Sequence, residues 1–346
     1  MNRPIHVALI GYGFAGRVFH APIIQNVPGL RLVTVASSKP EKVKSDWPDL
    51  WVSESIEEVI NHSELDLVVI ATPNATHFDL ARRALQAGKH VVVDKPFTIL
   101  ASEARALASL AAERGKVLSV YQNRRWDGDF LTLRKLVLQG VLGEVVYLES
   151  HFDRYRPEVQ NRWRDQAGPG SGLWYDLGPH LADQALELFG MPQAVYADIA
   201  QQRYQAQAPD YFHVLLRYPR LRVVLHASAL VPGGSPRFVV HGTEASFASR
   251  GLDGQEALLK QGLRPGQEGW SPALSEGWLY RPDQAAEPVP MEPGDYRRFY
   301  EGVRDAIRQE GPNPVPPEQA VRLMEVLEAA IESANEHREI PLGVNG

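Results

Sequence analysis

A chain of 346 residues exceeds what one hydrophobic core usually organises, so two domains are expected. A formal net charge of -6 argues against a nucleic-acid partner, which wants a basic face, and no apolar run approaches the ~18 residues of a membrane span. The absence of cysteine excludes disulfides, thiolate metal sites and a cysteine nucleophile, and without a leader-like start a cytoplasmic location is expected.

Ile5 to Ile10 reads as a strand and runs into Gly11-Tyr12-Gly13-Phe14-Ala15-Gly16, followed by a helix-like stretch. In this G-x-G-x-x-G context Gly11 permits the tight turn, Gly13 lets backbone approach a pyrophosphate, and Gly16 lets helix and strand pack closely. The helix amino terminus then stabilises the phosphates without a cationic side chain. A glycine turn that only packs a helix is the alternative. The second strand, Leu30 to Ala36, ends in Ser37-Ser38-Lys39, where an NAD site usually carries Asp or Glu. Small hydroxyls and a cation suit a 2′-phosphate, which favours NADP over NAD, unless these residues form only a polar turn.

Further strands are expected at Leu65 to Ala71, His90 to Val93 and Val117 to Val120, with helices at Thr76 to Ala87 and Ser102 to Arg114. Gly88 and Gly115 fall where helix C-caps stand, and Thr76 or Ser102 suits an N-cap. This alternation implies an α/β fold with a doubly wound parallel sheet over residues 1–122. Val91 to Val93 leads into Asp94-Lys95-Pro96, so a lysine arrives at the carboxyl end of a buried strand, where open α/β sheets place their chemistry. A buried ammonium is costly unless used or paired, and a structural ion pair with Asp94 is the alternative reading.

After Gln122 the texture changes. A helix at Phe130 to Gln139 precedes long alternating runs at Val145 to Phe152, Tyr211 to Tyr218, Leu221 to Leu230 and Arg237 to His241, with a hairpin turn at Tyr218-Pro219-Arg220. Residues 123–346 therefore read as an α+β domain with a large, mostly antiparallel open sheet. Helices near Asp295 to Gln309 and Pro317 to Glu336 close the chain, and Gly251 to Pro293 reads as loop with short strands. Apolar residues on both faces of Leu221 to Leu230 imply a contact surface and a homo-oligomer.

Gly170 to His180 is a glycine-rich approach into a helix reaching Phe189. Asp176 and His180 stand at i and i+4, on one face, where a carboxylate beside an imidazole makes a general base near neutral pH. Asp176 as an N-cap, with His180 a core histidine, is the alternative. His180 with Asp183, or His151 with Asp153, has metal-ligand spacing, yet no third ligand is suggested and no metal is expected.

With Gly11 to Gly16, Asp94-Lys95-Pro96 and Asp176 to His180 in order, the chain resembles the Gfo/Idh/MocA oxidoreductase family over nearly its whole length. Val91 to Thr98, Asn123 to Trp126 and Gly168 to His180 are similar to the bacterial subgroup that contains NADP-dependent scyllo-inositol dehydrogenases. Asp94 departs from the family's more usual Glu. The resemblance implies an NAD(P)-dependent dehydrogenase acting on CH–OH groups of a small polyol or sugar, in which Lys95 contacts the reacting hydroxyl and the nicotinamide ribose. It implies that His180 takes the hydroxyl proton and that Asp176 hydrogen-bonds the substrate. Thr72, Pro73 and Asn74, after the fourth strand, would line the dinucleotide crevice, with His77 close by, and Asp94, Lys95 and Pro96 would also contact the cofactor. Asn123, Tyr155, Trp163 and Arg164 would help form a wall for a polyhydroxylated ring, unless these charges form a solvated face. An NAD-dependent glycoside hydrolase and a catalytically silent sugar or nucleotide sensor are the alternatives on this fold. The joint presence of Lys95, Asp176 and His180 speaks against the sensor.

Overall fold

Runs of β-branched residues bounded by glycine or proline form the first sheet. The structure is a computed structural model and describes residues 3–270, 272 and 275–343, the side chain of Trp163 excepted. Six strands, β1 (Ile5–Ile10), β2 (Leu30–Ala36), β3 (Trp51–Ser53), β4 (Leu67–Ile70), β5 (His90–Val93) and β6 (Leu118–Val120), pair in parallel in the order β3-β2-β1-β4-β5-β6. That is the doubly wound order, whose strand sequence reverses between β1 and β4. Val91, Val92 and Val93 are fully buried, as expected of a strand covered on both faces. The helix Ala101–Arg114 ends on Gly115, whose left-handed φ of 61° supplies the expected cap. Its amino end is not capped by Ser102: Leu100 takes that position, and the Glu103 carboxylate accepts the Leu100 N–H at 3.2 Å.

The chain forms two units. The first comprises Met1–Asn123, Gln255–Pro272 and Asp295–Val321; the second comprises Arg124–Gly254, Ala273–Gly294 and Arg322–Gly346. A single boundary at residue 122 or 123 does not provide for the two returns to the first unit. Within Gly251 to Pro293, expected as loop with short strands, Gln255–Lys260 is helical, and it packs against the helix that follows the glycine loop.

The second sheet contains β7 (Val145–His151), β8 (Ala194–Ala200), β9 (Tyr211–Arg217), β10 (Arg222–Ser228), β11 (Phe238–Gly242), β12 (Ser246–Arg250), β13 (Glu276–Tyr280), β14 (Glu287–Pro288) and β15 (Ile340–Pro341). Their order is β14-β13-β12-β11-β7-β10-β9-β8-β15, with only the central pair β7 and β10 parallel. The hairpin at Tyr218-Pro219-Arg220 closes through Tyr218 N–H to Leu221 C=O at 3.1 Å. The helix Gly172–Phe189 packs on one face of β9 and β10. Val224, on the opposite face from Val223 and Leu225, is only 5% exposed within the single chain. Of the apolar residues expected to form a contact surface, Val224 is thus covered within the chain, whereas Leu230 is 36% exposed. What the other face offers to solvent is largely polar, including His213, Glu149 and Tyr147.

Candidate active site

In the first unit the loop after β1 has the shape the glycines require. A Cβ on Gly11 would meet the Ala71 carbonyl oxygen at 2.6 Å, and Gly11 has φ of +97°; a Cβ on Gly16 would meet the Gly11 carbonyl oxygen at 2.2 Å. Gly13 differs. Its Cβ position has no atom within 4 Å, so its glycine answers to nothing inside the protein but leaves bare backbone open beside a helix start. Helical backbone begins at Phe14, and its first N–H groups have no intrahelical acceptor. These features fit a dinucleotide pyrophosphate.

The other expected dinucleotide contacts divide. Ser38 and Lys39 are exposed at the carboxyl end of β2, while the Ser37 hydroxyl accepts the Lys39 N–H at 3.1 Å and so forms part of a local turn. The Tyr12 side chain is turned away from the loop: its hydroxyl donates to Asp46 at 2.9 Å and accepts from Trp47 Nε1 at 2.8 Å, and burial raises its pKa. Only its backbone remains for a cofactor. Phe14 is exposed and Ala15 half-buried in the helix start. Asn74 is buried at the start of the short helix Asn74–Thr76, after Thr72 and Pro73.

His77 lies close to the loops after β4 and β5, beneath them. It is fully buried, with Nδ1 2.9 Å from the Pro96 carbonyl and Nε2 3.0 Å from the Thr72 carbonyl. The helix His77–Gln86 starts beneath these loops, so the ring braces the backbone of both. Burial lowers its pKa, with Asp94 acting in the opposite sense.

Lys95 follows β5 as expected and is half-buried, with its N–H donating to Asp94 Oδ1 at 2.9 Å; the bond to Pro96 is cis. The carboxylate of Asp94 has a partner that local sequence did not suggest. His20 Nε2 lies 3.8 Å from Asp94 Oδ1, and the Tyr300 hydroxyl shares a 2.6 Å hydrogen bond with His20 Nδ1. Burial alone would raise the Asp94 pKa; His20, and less strongly Lys95, hold it below the ordinary value. The imidazole of His20 also packs on Tyr121, at 4.3 Å between ring centroids, within a cluster completed by Phe299 and Tyr300.

In the second unit the helix bearing the D-x-x-x-H pattern begins at Gly172, so Pro179 lies in its interior and Asp176 is not its N-cap. Trp174 is buried, donates Nε1–H to the Leu327 carbonyl at 3.1 Å, and lies over Gly178, where a Cβ would meet its ring at 2.3 Å. Asp176 Oδ1 is 3.1 Å from Arg164 Nη1. Both line a cleft together with Phe152, Arg154, Arg156, Arg162, Asp165, Arg203 and Asp210. Arg203 holds this wall by pairing with Asp210 at 2.7 Å and Asp165 at 3.1 Å, a pair that only the fold brings into reach. His180, one turn beyond Asp176, is 6% exposed and does not belong to that wall.

Tyr155 does not line the cleft either. In the extended segment after β7, Arg154 and Arg156 turn toward it, which sends Tyr155 to the other side, 58% exposed and bridged to Leu230. The Trp163 side chain lies outside the described residues. Asn123 is buried at the start of a short helix, and the arginines after it are structural: Arg125 makes two 2.7 Å bonds to Asp183 and reaches Glu187 at 3.1 Å, while Arg124 pairs with Asp127 at 3.0 Å.

Residues 5–122 match the model of an oxidoreductase family's NAD-binding Rossmann fold, and residues 134–342 match the same family's C-terminal alpha/beta domain. Fold and glycine loop together define an NAD-binding oxidoreductase. The chain belongs to the Gfo/Idh/MocA family. It is 52% identical over 341 residues to the uncharacterised oxidoreductase YdgJ of Escherichia coli, covering 98% of each chain. It is 40% identical over 343 residues to scyllo-inositol 2-dehydrogenase (NADP(+)) IolW of Bacillus subtilis, covering 98% of this chain and 96% of that one. A crystal structure of an oxidoreductase from Klebsiella pneumoniae is similar with a TM-score of 0.93 at 49% identity, covering 99% of this chain and 96% of that one. Among the described residues no helix is long and apolar enough to cross a membrane.

Proposed function

We propose that this oxidoreductase uses NADP to interconvert a secondary alcohol and a ketone on a cyclitol or sugar. The observation that carries the cofactor choice is the carboxyl end of β2, where exposed Ser38 and Lys39 stand at the place an NAD-selective site usually gives to a carboxylate. The likeness to IolW, named as an NADP(+)-dependent scyllo-inositol 2-dehydrogenase, supports both cofactor and substrate class.

Bound NADP would supply the hydride acceptor. The ammonium of Lys95 polarises the alcohol oxygen by charge. The imidazole of His180 receives the hydroxyl proton in oxidation and returns it in reduction. Asp176, which also pairs with Arg164, accepts a hydrogen bond from a neighbouring substrate hydroxyl, since an ionised carboxylate offers about four lone-pair sites. Asp94, tied to His20, fixes the backbone from which Lys95 projects. The largely polar face of β7, β9 and β10 would carry a homo-oligomer contact, and light scattering that finds a monomer at micromolar concentration removes that part of the reading.

The test is absorbance at 340 nm with purified protein, NADP or NAD in turn, and a panel of inositols and aldoses. Signal growth with NADP and a cyclitol supports the reading. Turnover with NAD alone overturns the cofactor choice, and silence across the panel while NADPH still binds overturns the substrate class.

A further inference from the structure

The sequence offers His151 and Asp153 as a pair at ligand spacing without a third member, and the sheet supplies one. The parallel register of β7 and β10 sets His226 directly beside His151. One ligand atom from each of His151, Asp153 and His226 can be chosen so that all lie within 4.8 Å of one another. We propose that these three residues bind one divalent first-row transition-metal cation.

The distances favour a cation over a simple hydrogen-bonded cluster. His151 Nδ1 lies 3.4 Å from Asp153 Oδ2, and His226 Nε2 lies 3.4 Å from Asp153 Oδ1. Both exceed the ~2.7–3.2 Å of an N–H···O bond. They run to the two different oxygens of Asp153 and lie near the roughly 3.3 Å between neighbouring ligands of a tetrahedral ion with bonds of about 2.0–2.1 Å, so a bound ion would draw both imidazoles onto one carboxylate. Among the described residues His151 Nδ1 and Asp153 Oδ2 are buried and outside good hydrogen-bond geometry, the Asp153 side chain is 1% exposed, and the Ser235 side chain also acts on its carboxylate.

The surroundings match the outer shell of a metal site. Glu149 accepts from His151 Nε2–H at 2.9 Å and is itself held by the Tyr147 hydroxyl. That bond keeps a proton on Nε2, so Nδ1, which faces Asp153, is the nitrogen a cation would take once it displaces the proton that the two carboxylates favour there. Asp153 is anchored in turn, accepting the Ser228 N–H at 2.9 Å. Two imidazoles with one carboxylate suit zinc, iron or nickel better than magnesium or calcium. The site would pin the end of β7 to β10, just before the segment that carries Arg154 and Arg156 into the cleft. Its role is structural.

The experiment is calorimetric titration of ZnCl2 into the full-length, tag-free, chelator-treated protein, with metal content measured by mass spectrometry after dialysis. One zinc per chain is expected. His226→Gln, at a half-buried position that leaves the Asp153 anchor intact, should abolish saturable uptake while circular dichroism stays unchanged. Glu149→Gln should weaken binding by about 10–100-fold. Absence of uptake by the parent protein overturns the proposal, and so does full uptake retained by both His226→Gln and Asp153→Asn.

Discussion

His20 lies against Asp94, Nε2 to Oδ1 3.8 Å, and its other ring nitrogen is bonded to the Tyr300 hydroxyl. A residue from the helix after the glycine loop thus holds the carboxylate that precedes Lys95, and a third element holds that residue. Replacing His20 by Phe should keep the aromatic packing on Tyr121 and lose both polar contacts. We expect kcat to fall by roughly 10–100-fold, the cost of misplacing a reacting group by about an ångström, with the affinity for NADPH nearly unchanged. Equal kcat in variant and parent would show that Asp94 does not need His20.

Lys95→Ala and His180→Ala should each abolish turnover while leaving NADPH affinity within a few-fold. Stopped-flow absorbance and NADPH fluorescence separate the two effects. Near-normal kcat in either variant would sink the proposed division of labour between charge and proton transfer.

Two glycines with opposite surroundings give a paired prediction. At Gly178 an added methyl meets the buried Trp174 ring at 2.3 Å. The gain of about 1 kcal/mol in helix propensity from Gly178→Ala is outweighed by overpacking of about 1–3 kcal/mol, so Tm should fall. At Gly13 an added Cβ meets nothing within 4 Å. Gly13→Val should therefore leave Tm near the parent value and weaken NADPH by at least about tenfold, because the lost space belongs to the pyrophosphate. Unchanged cofactor affinity in Gly13→Val would remove the glycine loop from the site.

Local patterns were legible where a single segment carried the physics. The strand His90–Val93 and the helix Pro317–Glu336 appear at the expected residues, because a run of valines or an uninterrupted helical period needs no distant help. Partners set by the fold were hidden. His20 and Tyr300 are 280 positions apart, and Arg203 meets Asp165 only because the loop after β8 comes back to the segment after β7. His226 was unreadable as a neighbour of His151 until the parallel pairing of β7 with β10 was known, since sequence alone suggested an antiparallel sheet. The exposure of Tyr155 was readable and missed: strict alternation with Arg154 and Arg156 places it on the opposite side.

The last prediction concerns pH. His77 is fully buried between the carbonyls of Thr72 and Pro96, and burial depresses its pKa from the ordinary 6.5, Asp94 opposing only in part. The unfolded chain then takes up a proton at a pH where the folded chain still refuses it. A depressed folded value means that the stabilisation is complete above the unfolded pKa of about 6.5 and declines as pH falls through that value toward the folded one. His77→Asn keeps a donor for one of the two carbonyls and carries no titrating group. Its Tm should lie below the parent's at pH 8, and the gap should narrow steadily between about pH 6.5 and 5 as the parent loses the ring's contribution. A gap that widens on acidification would mean that the folded ring is protonated and bonded to both carbonyls at once, reversing the sign of its linkage.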